Sequence, residues 1–142
     1  MNTNRKTRIE IIIEKHDGLL WGRVEDKGNF LPTPYGATIN DVINNLRELI
    51  EDYQAHEGKE DKFWGKVDLN KVDYEFSYDL VAFFEEFEEL KISSIAKRAG
   101  INESLMRQYA TGKKYPSADQ AKKIEDTIHG LAKKLQEASI YA

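Results

Sequence analysis

The spacing of apolar residues changes character once along this chain, between Ser77 and Asp79, and that change restricts what it can fold into. Up to Ser77, stretches with an apolar residue at every second position alternate with one stretch of helical spacing. From Asp79 onward only helical spacing remains. With 142 residues the chain can hold one medium domain or two small ones, each able to bury a core. The expected architecture is therefore α+β. A small antiparallel sheet with one helix occupies residues 1–78 and an all-α unit residues 79–142, with no flexible linker between them.

In residues 7–15, Ile9, Ile11 and Ile13 alternate with charged neighbours as in a half-buried strand, and Ile12 blurs the register. His16-Asp17-Gly18 follows, and Asp-Gly between two strand-like runs predicts a tight hairpin into a second strand over residues 19–25. Asp26 to Gly28 supplies another turn. A short third strand is expected at residues 29–31, cut off by Pro32 and Pro34. Thr38 is a suitable N-cap, with Asp41 placed to favour the positive end of the helix dipole. Behind it, Ile39, Val42, Ile43, Leu46, Leu49, Ile50 and Tyr53 share one helix face. Residues 54–65 lack periodicity and predict a loop. Val72, Tyr74, Phe76 and Tyr78 then alternate with polar residues and predict a last strand.

Asp79 predicts the cap of a helix whose stripe is Leu80, Val81, Phe83, Phe84, Phe87 and Leu90, with Glu85, Glu86, Glu88 and Glu89 on a solvated face. A second helix over residues 92–99 ends at Gly100, and a third over residues 103–111 starts from Asn102 as its cap. Helix, glycine turn, apolar Ile101, cap, helix is the spacing of a helix-turn-helix. Small Ala96 lets the two helices approach. Ile101, Met106 and either Tyr109 or Ala110 are expected to anchor the third helix on the core. Glu103, Ser104, Arg107 and Gln108 are then left outside, and such residues can reach base edges: Arg reads guanine, Gln adenine and Glu cytosine. Arg107 has an alternative, because Glu103 one turn earlier can hold it in an (i, i+4) pair. Lys113 and Lys114 in the next turn, with Lys97 and Arg98, suit phosphate contacts. Asn102 and Thr111 complete the expected DNA-facing set.

Pro116 and Ser117 start a final helix over residues 118–140, whose seam is Ala121, Ile124, Ile128, Leu131, Leu135 and Ala138. Its first half is expected to pack on the unit's own core. Beyond Gly130 the seam is expected to join two copies, and a two-fold dimer would offer two recognition helices to a palindromic operator.

A net charge of −4 argues against nucleic-acid binding only if charge is spread evenly, and it is not. Residues 1–79 hold 11 basic and 16 acidic side chains. Residues 91–123 hold eight lysines and arginines against Glu103 and Asp119. That asymmetry fits a DNA-contacting module carried by an acidic neighbour. The absence of cysteine removes disulfides and thiolate metal sites and fits a reducing compartment. The longest apolar run, Leu80 to Phe84, is far too short to span a bilayer, and the basic first eight residues lack a signal peptide's apolar stretch. A cytoplasmic location is expected. No protease, nucleotide-binding or nucleophile-elbow motif is present. His16, His56 and His129 stand apart and read as surface residues, while Trp21 and Trp64 read as packing aromatics. Neither enzyme activity nor a cofactor or metal is expected.

Two runs carry a family resemblance. Ile95-Ala96-Lys97-Arg98-Ala99-Gly100-Ile101-Asn102-Glu103-Ser104 and Gly112-Lys113-Lys114-Tyr115-Pro116-Ser117 resemble the Cro/repressor (XRE-like) helix-turn-helix family, over about residues 79–131. The family often carries Glu shortly before the second glycine, where this chain has Ala110. In the first half, the hairpin, the proline-containing turn and Gly36-Ala37-Thr38-Ile39-Asn40-Asp41-Val42 are similar to the HicB antitoxins. There, a partial RNase H-like domain masks a small ribonuclease toxin, HicA, and a C-terminal module represses the operon. Leu31-Pro32-Thr33-Pro34-Tyr35 replaces that family's Pro-Gly-Cys-like turn, and the 54–65 loop is longer. The resemblance implies an autoregulating antitoxin. The open alternative is a stand-alone transcription factor whose first half serves oligomerisation or ligand sensing.

Overall fold

The computed structural model describes residues 5–142. The chain divides into two compact units, Met1–Ala82 and Phe83–Ala142. The division falls just beyond the change of periodicity because Ala82, in the helix that follows, is fully buried in the first unit's core.

The first unit is a four-stranded sheet with strands β1 (Thr7–His16), β2 (Leu19–Arg23), β3 (Tyr35–Gly36) and β4 (Val72–Tyr78), in the order β3-β2-β1-β4. Asp17 and Gly18, both at positive φ, form the two-residue turn between β1 and β2. The sheet is mixed rather than antiparallel, because β4 runs parallel to β1. The hairpin already occupies one edge of β1. The chain returns to the other edge only after crossing through helix α1 (Ile39–Ala55), which delivers β4 in the parallel sense.

Thr38 caps α1 by accepting from the Asp41 backbone N–H at 3.1 Å. Val42, Leu46 and Ile50 of α1, with Ile9, Ile11, Ile13, Leu20, Val24 and Trp64, form a continuous core on one side of the sheet. Each such large side chain stabilises the fold by roughly 1.5–3 kcal/mol. Ile12 lies on the other sheet face, opposite Arg23 and Ser77 on the flanking strands, which explains its break with the alternation.

Residues 29–31 do not form the expected strand; Tyr35 and Gly36 pair with Trp21 and Leu20 instead. The prolines explain the shift. They cannot donate, but the Pro34 and Pro32 carbonyls accept from the Gly22 and Val24 N–H groups at 2.8 and 3.4 Å, so the segment serves as a sheet edge needing only acceptors. Phe30 turns inward and stacks on Tyr53, with ring centroids 4.2 Å apart.

The expected 54–65 loop is organised by one buried carboxylate. Asp61 accepts from the backbone N–H groups of Asn29, Phe63 and Trp64 and from the Tyr53 hydroxyl, each at 2.9 Å. It thereby ties the loop to Tyr53 in the last turn of α1 and launches a short 3-10 helix (Trp64–Lys66), in which Trp64 is fully inside the core. The Trp64 indole N–H in turn donates to the Lys27 and Phe30 carbonyls. The four donors hold the Asp61 carboxyl down to about 2, the Asn29 N–H foremost.

The chain then enters α2 (Leu80–Glu86), capped by Asp79, whose carboxylate accepts from the Ala82 N–H at 2.7 Å. This helix stops before Leu90, where the sequence pattern carried it. Four glutamates at positions 85, 86, 88 and 89 crowd the negative end of the dipole, which disfavours further turns. The second unit continues with α3 (Ile92–Ala99), α4 (Glu103–Thr111) and α5 (Ala118–Glu137). Its core is Phe84, Ile95, Ala96, Ala99, Ile101, Met106, Tyr109 and Ile124. No helix among the described residues is long and apolar enough to cross a membrane.

Candidate nucleic-acid interface

Helices α3 and α4 are held by two matching turns. Gly100 sits at φ 69°, ψ 31°, its N–H reaching the Lys97 carbonyl while the Ile101 N–H reaches back to Ala96 at 2.9 Å. Gly112, at φ 78°, repeats the arrangement with Tyr109 and, through the Lys113 N–H, Gln108. These paired bonds satisfy the last carbonyls of each helix, and the left-handed residue they require is most easily glycine. Asn102 accepts from the Leu105 N–H at 3.2 Å and opens α4. Ile101, Met106 and Tyr109 are buried and fix the inner face of α4, so of the two anchors left open by sequence it is Tyr109, not Ala110, that is enclosed.

The opposite face of α4 is open. Glu103, Ser104, Arg107 and Thr111 are exposed along it, and Gln108 is half-buried at its margin. Lys97 and Arg98 at the end of α3, Asn102 in the turn, and Lys113 and Lys114 after Gly112 are exposed as well. Lys123 of α5 adds a further cation: its amino nitrogen lies 3.9 Å from the position a Gly100 Cβ would take. Both turns thus carry exposed cations, with Glu103 the one exposed carboxylate on α4 between them. Lys122, in contrast, is tied to Asp126 at 2.7 Å, which raises its pKa.

Arg107 takes the alternative that its spacing allowed. Its guanidinium donates to Glu103 at 2.7 Å, with the two side chains 58% and 53% exposed. Thr111 is also occupied, donating to the Arg107 carbonyl at 2.9 Å.

Nothing in the periodicity marked Ser93 and Ser94. They lie in the first turn of α3, which has no side-chain cap, and with Lys97, Ile101 and Glu103 they line an open cleft between α3 and α4. Two adjacent serines in an uncapped first turn were the available sign. Tyr115, beside the lysine pair, is 79% exposed.

The seam of α5 divides as its neighbours dictate. Ile124 is buried, Ile128 and Leu131 are half-buried, and Leu135 is 64% exposed. The helix ends at Glu137 rather than at residue 140; Ala138, Ile140 and Tyr141 are exposed, so no burial holds a further turn.

In the first unit, Trp21 and Tyr35 stack across β2 and β3 with centroids 4.9 Å apart on the uncovered sheet face. His16 and His56 lie beside Glu14 and Asp52 at the surface, and His129 is exposed on α5. Among the described residues no three histidine or carboxylate side chains gather as a metal-ligand set. Comparison with protein families, curated proteins and solved structures returns no match to this chain.

Proposed function

We propose that the protein is a sequence-specific DNA-binding repressor, with α4 entering the major groove. The observation that carries this reading is the open face of α4, framed at both ends by glycine turns and by Lys97, Arg98, Lys113 and Lys114. Ser104, Arg107 and Gln108 supply groups of the kinds that read base edges, and the lysines supply sequence-blind phosphate contacts. The exposed end of the α5 seam at Leu135 is the surface through which two copies would pair.

A gel shift of the purified protein against the DNA upstream of its own gene, repeated across salt concentrations, tests the reading. Arg107→Ala is expected to cost about 1–3 kcal/mol and to relax preference at one base pair. Lys113→Ala is expected to weaken every sequence alike and lower the salt slope by about one. Equal losses on operator and random DNA for both variants would refute this division of labour.

A second activity is compatible with the first. The uncovered sheet face presents Trp21, 39% exposed, and Tyr35, 50% exposed; Glu10, Glu14, Asp73 and Glu75 share that face, Glu14 and Glu75 paired with Arg23 and Arg8. Exposed aromatic anchors on a unit whose acidic residues outnumber its basic ones suit a small basic protein. That supports an antitoxin that masks a small HicA-like ribonuclease. Co-purification with the product of a neighbouring small basic reading frame, weakened by Trp21→Ala, tests it. If no such product binds, the stand-alone regulator remains.

A further inference from the structure

Glu103 is an unusual residue to find on a surface meant for phosphates. It is exposed in the first turn of α4, in the middle of the cationic frame, and a carboxylate there repels the polyanion that the surrounding lysines attract. Its effect reaches further because it holds Arg107, the one arginine on the outer face of α4, at 2.7 Å. We infer that Glu103 is a discriminator, whose grip on Arg107 penalises non-cognate DNA more than cognate DNA. This inference rests on the DNA-binding reading above.

The physical argument is a comparison of two bound states. On a random duplex, Arg107 has no guanine edge to reward it. Either the pair stays closed, and one cation is withheld from the phosphates, or it opens and leaves a bare carboxylate facing them. Both outcomes weaken binding. At a site that offers a guanine to Arg107 and, nearby, a cytosine amino group to Glu103, both partners exchange their mutual hydrogen bond for base contacts. The same carboxylate is then satisfied. The device is repulsion aimed at the wrong partner, which raises selectivity without raising peak affinity. Glu103 also favours the positive end of the α4 dipole, but an aspartate would meet that local need as well, and it involves no contact with Arg107.

The test uses the full chain and Glu103→Gln, which keeps shape and removes charge. Wild-type protein first selects its preferred site from a pool of randomised duplexes, and both proteins are then measured on that site and on a scrambled duplex. For Glu103→Gln, scrambled-duplex affinity is expected to rise about three- to tenfold, with a salt slope steeper by about one. Affinity for the preferred site should hold or fall, and reselection should lose one cytosine preference. An unchanged ratio between preferred and scrambled sites overturns the inference while leaving DNA binding intact. Wild-type protein that enriches no sequence and binds no duplex overturns the DNA-binding reading itself.

Discussion

The two units are stabilised in different ways. In the first, the ties join residues far apart in sequence: Asp61 to Asn29, Trp64 to Lys27 and Phe30, Arg47 to the Leu69 carbonyl, and β1 to β4. In the second, most polar ties close within one helical turn, at Asn102, Ser117, Gly100 and Gly112, and only Ile95, Met106 and Ile124 among its large side chains are almost wholly enclosed. The first unit therefore depends on a few long-range knots and should fail when one is cut. The second depends on many local fits and should weaken in steps, while its outer surface stays free to vary.

The largest break should come at Gly28. It sits at φ 53°, and an added Cβ would collide with the Asp61 carboxylate and stand 2.7 Å from Trp64 Cδ1. Gly28→Ala combines positive-φ strain with a clash at the knot and is expected to cost about 3–5 kcal/mol. Both tryptophans lie in the first unit, so denaturation followed by tryptophan fluorescence reports on that unit. A midpoint unchanged from wild type would show that the knot is not what holds it.

Met106 is the corresponding test for the second unit. Met106→Ala removes a fully buried side chain under α4 and is expected to cost about 2–4 kcal/mol. Helical circular dichroism should show the loss at lower denaturant than tryptophan fluorescence does. Coincident transitions would mean that the units do not respond separately.

Gly100→Ala should be milder, at about 1 kcal/mol. It pays only for a left-handed alanine, since the space around the missing Cβ is open except for the end of Lys123. A loss as large as that at Gly28 would show that the two units do not differ in this way.

A further effect is confined to acid. Asp61 is held at about 2, below the ordinary 3.8, so its contribution is complete above about pH 4 and is lost as pH falls toward about 2. Tryptophan fluorescence melts should show the first unit losing stability across that window, and Asp61→Asn should flatten the dependence there. An equal slope in the variant would assign the acid sensitivity to other groups.

Legibility followed the same division. In the second unit, the ends of α3 and α4, the glycine turn, the Asn102 cap and the outward position of Glu103, Ser104 and Arg107 all stand where the spacing put them. The choice made by Arg107 between a free guanidinium and Glu103 was not readable, because (i, i+4) spacing permits both. In the first unit, β1, β4, the hairpin and α1 were legible, but the parallel pairing, the proline-borne edge and the fold around Asp61 were not.

The sequence by itself determined what depends on neighbours within about four positions: periodicity, caps, left-handed glycine turns, and hence which side of α4 is polar. Tertiary structure alone decided what depends on partners brought together from afar. It set which edge of β1 receives β4, which donors converge on a lone aspartate, and where a helix runs out of core to lie against. Local rules fix an element's faces, but only the folded chain supplies the opposite half of each long-range contact.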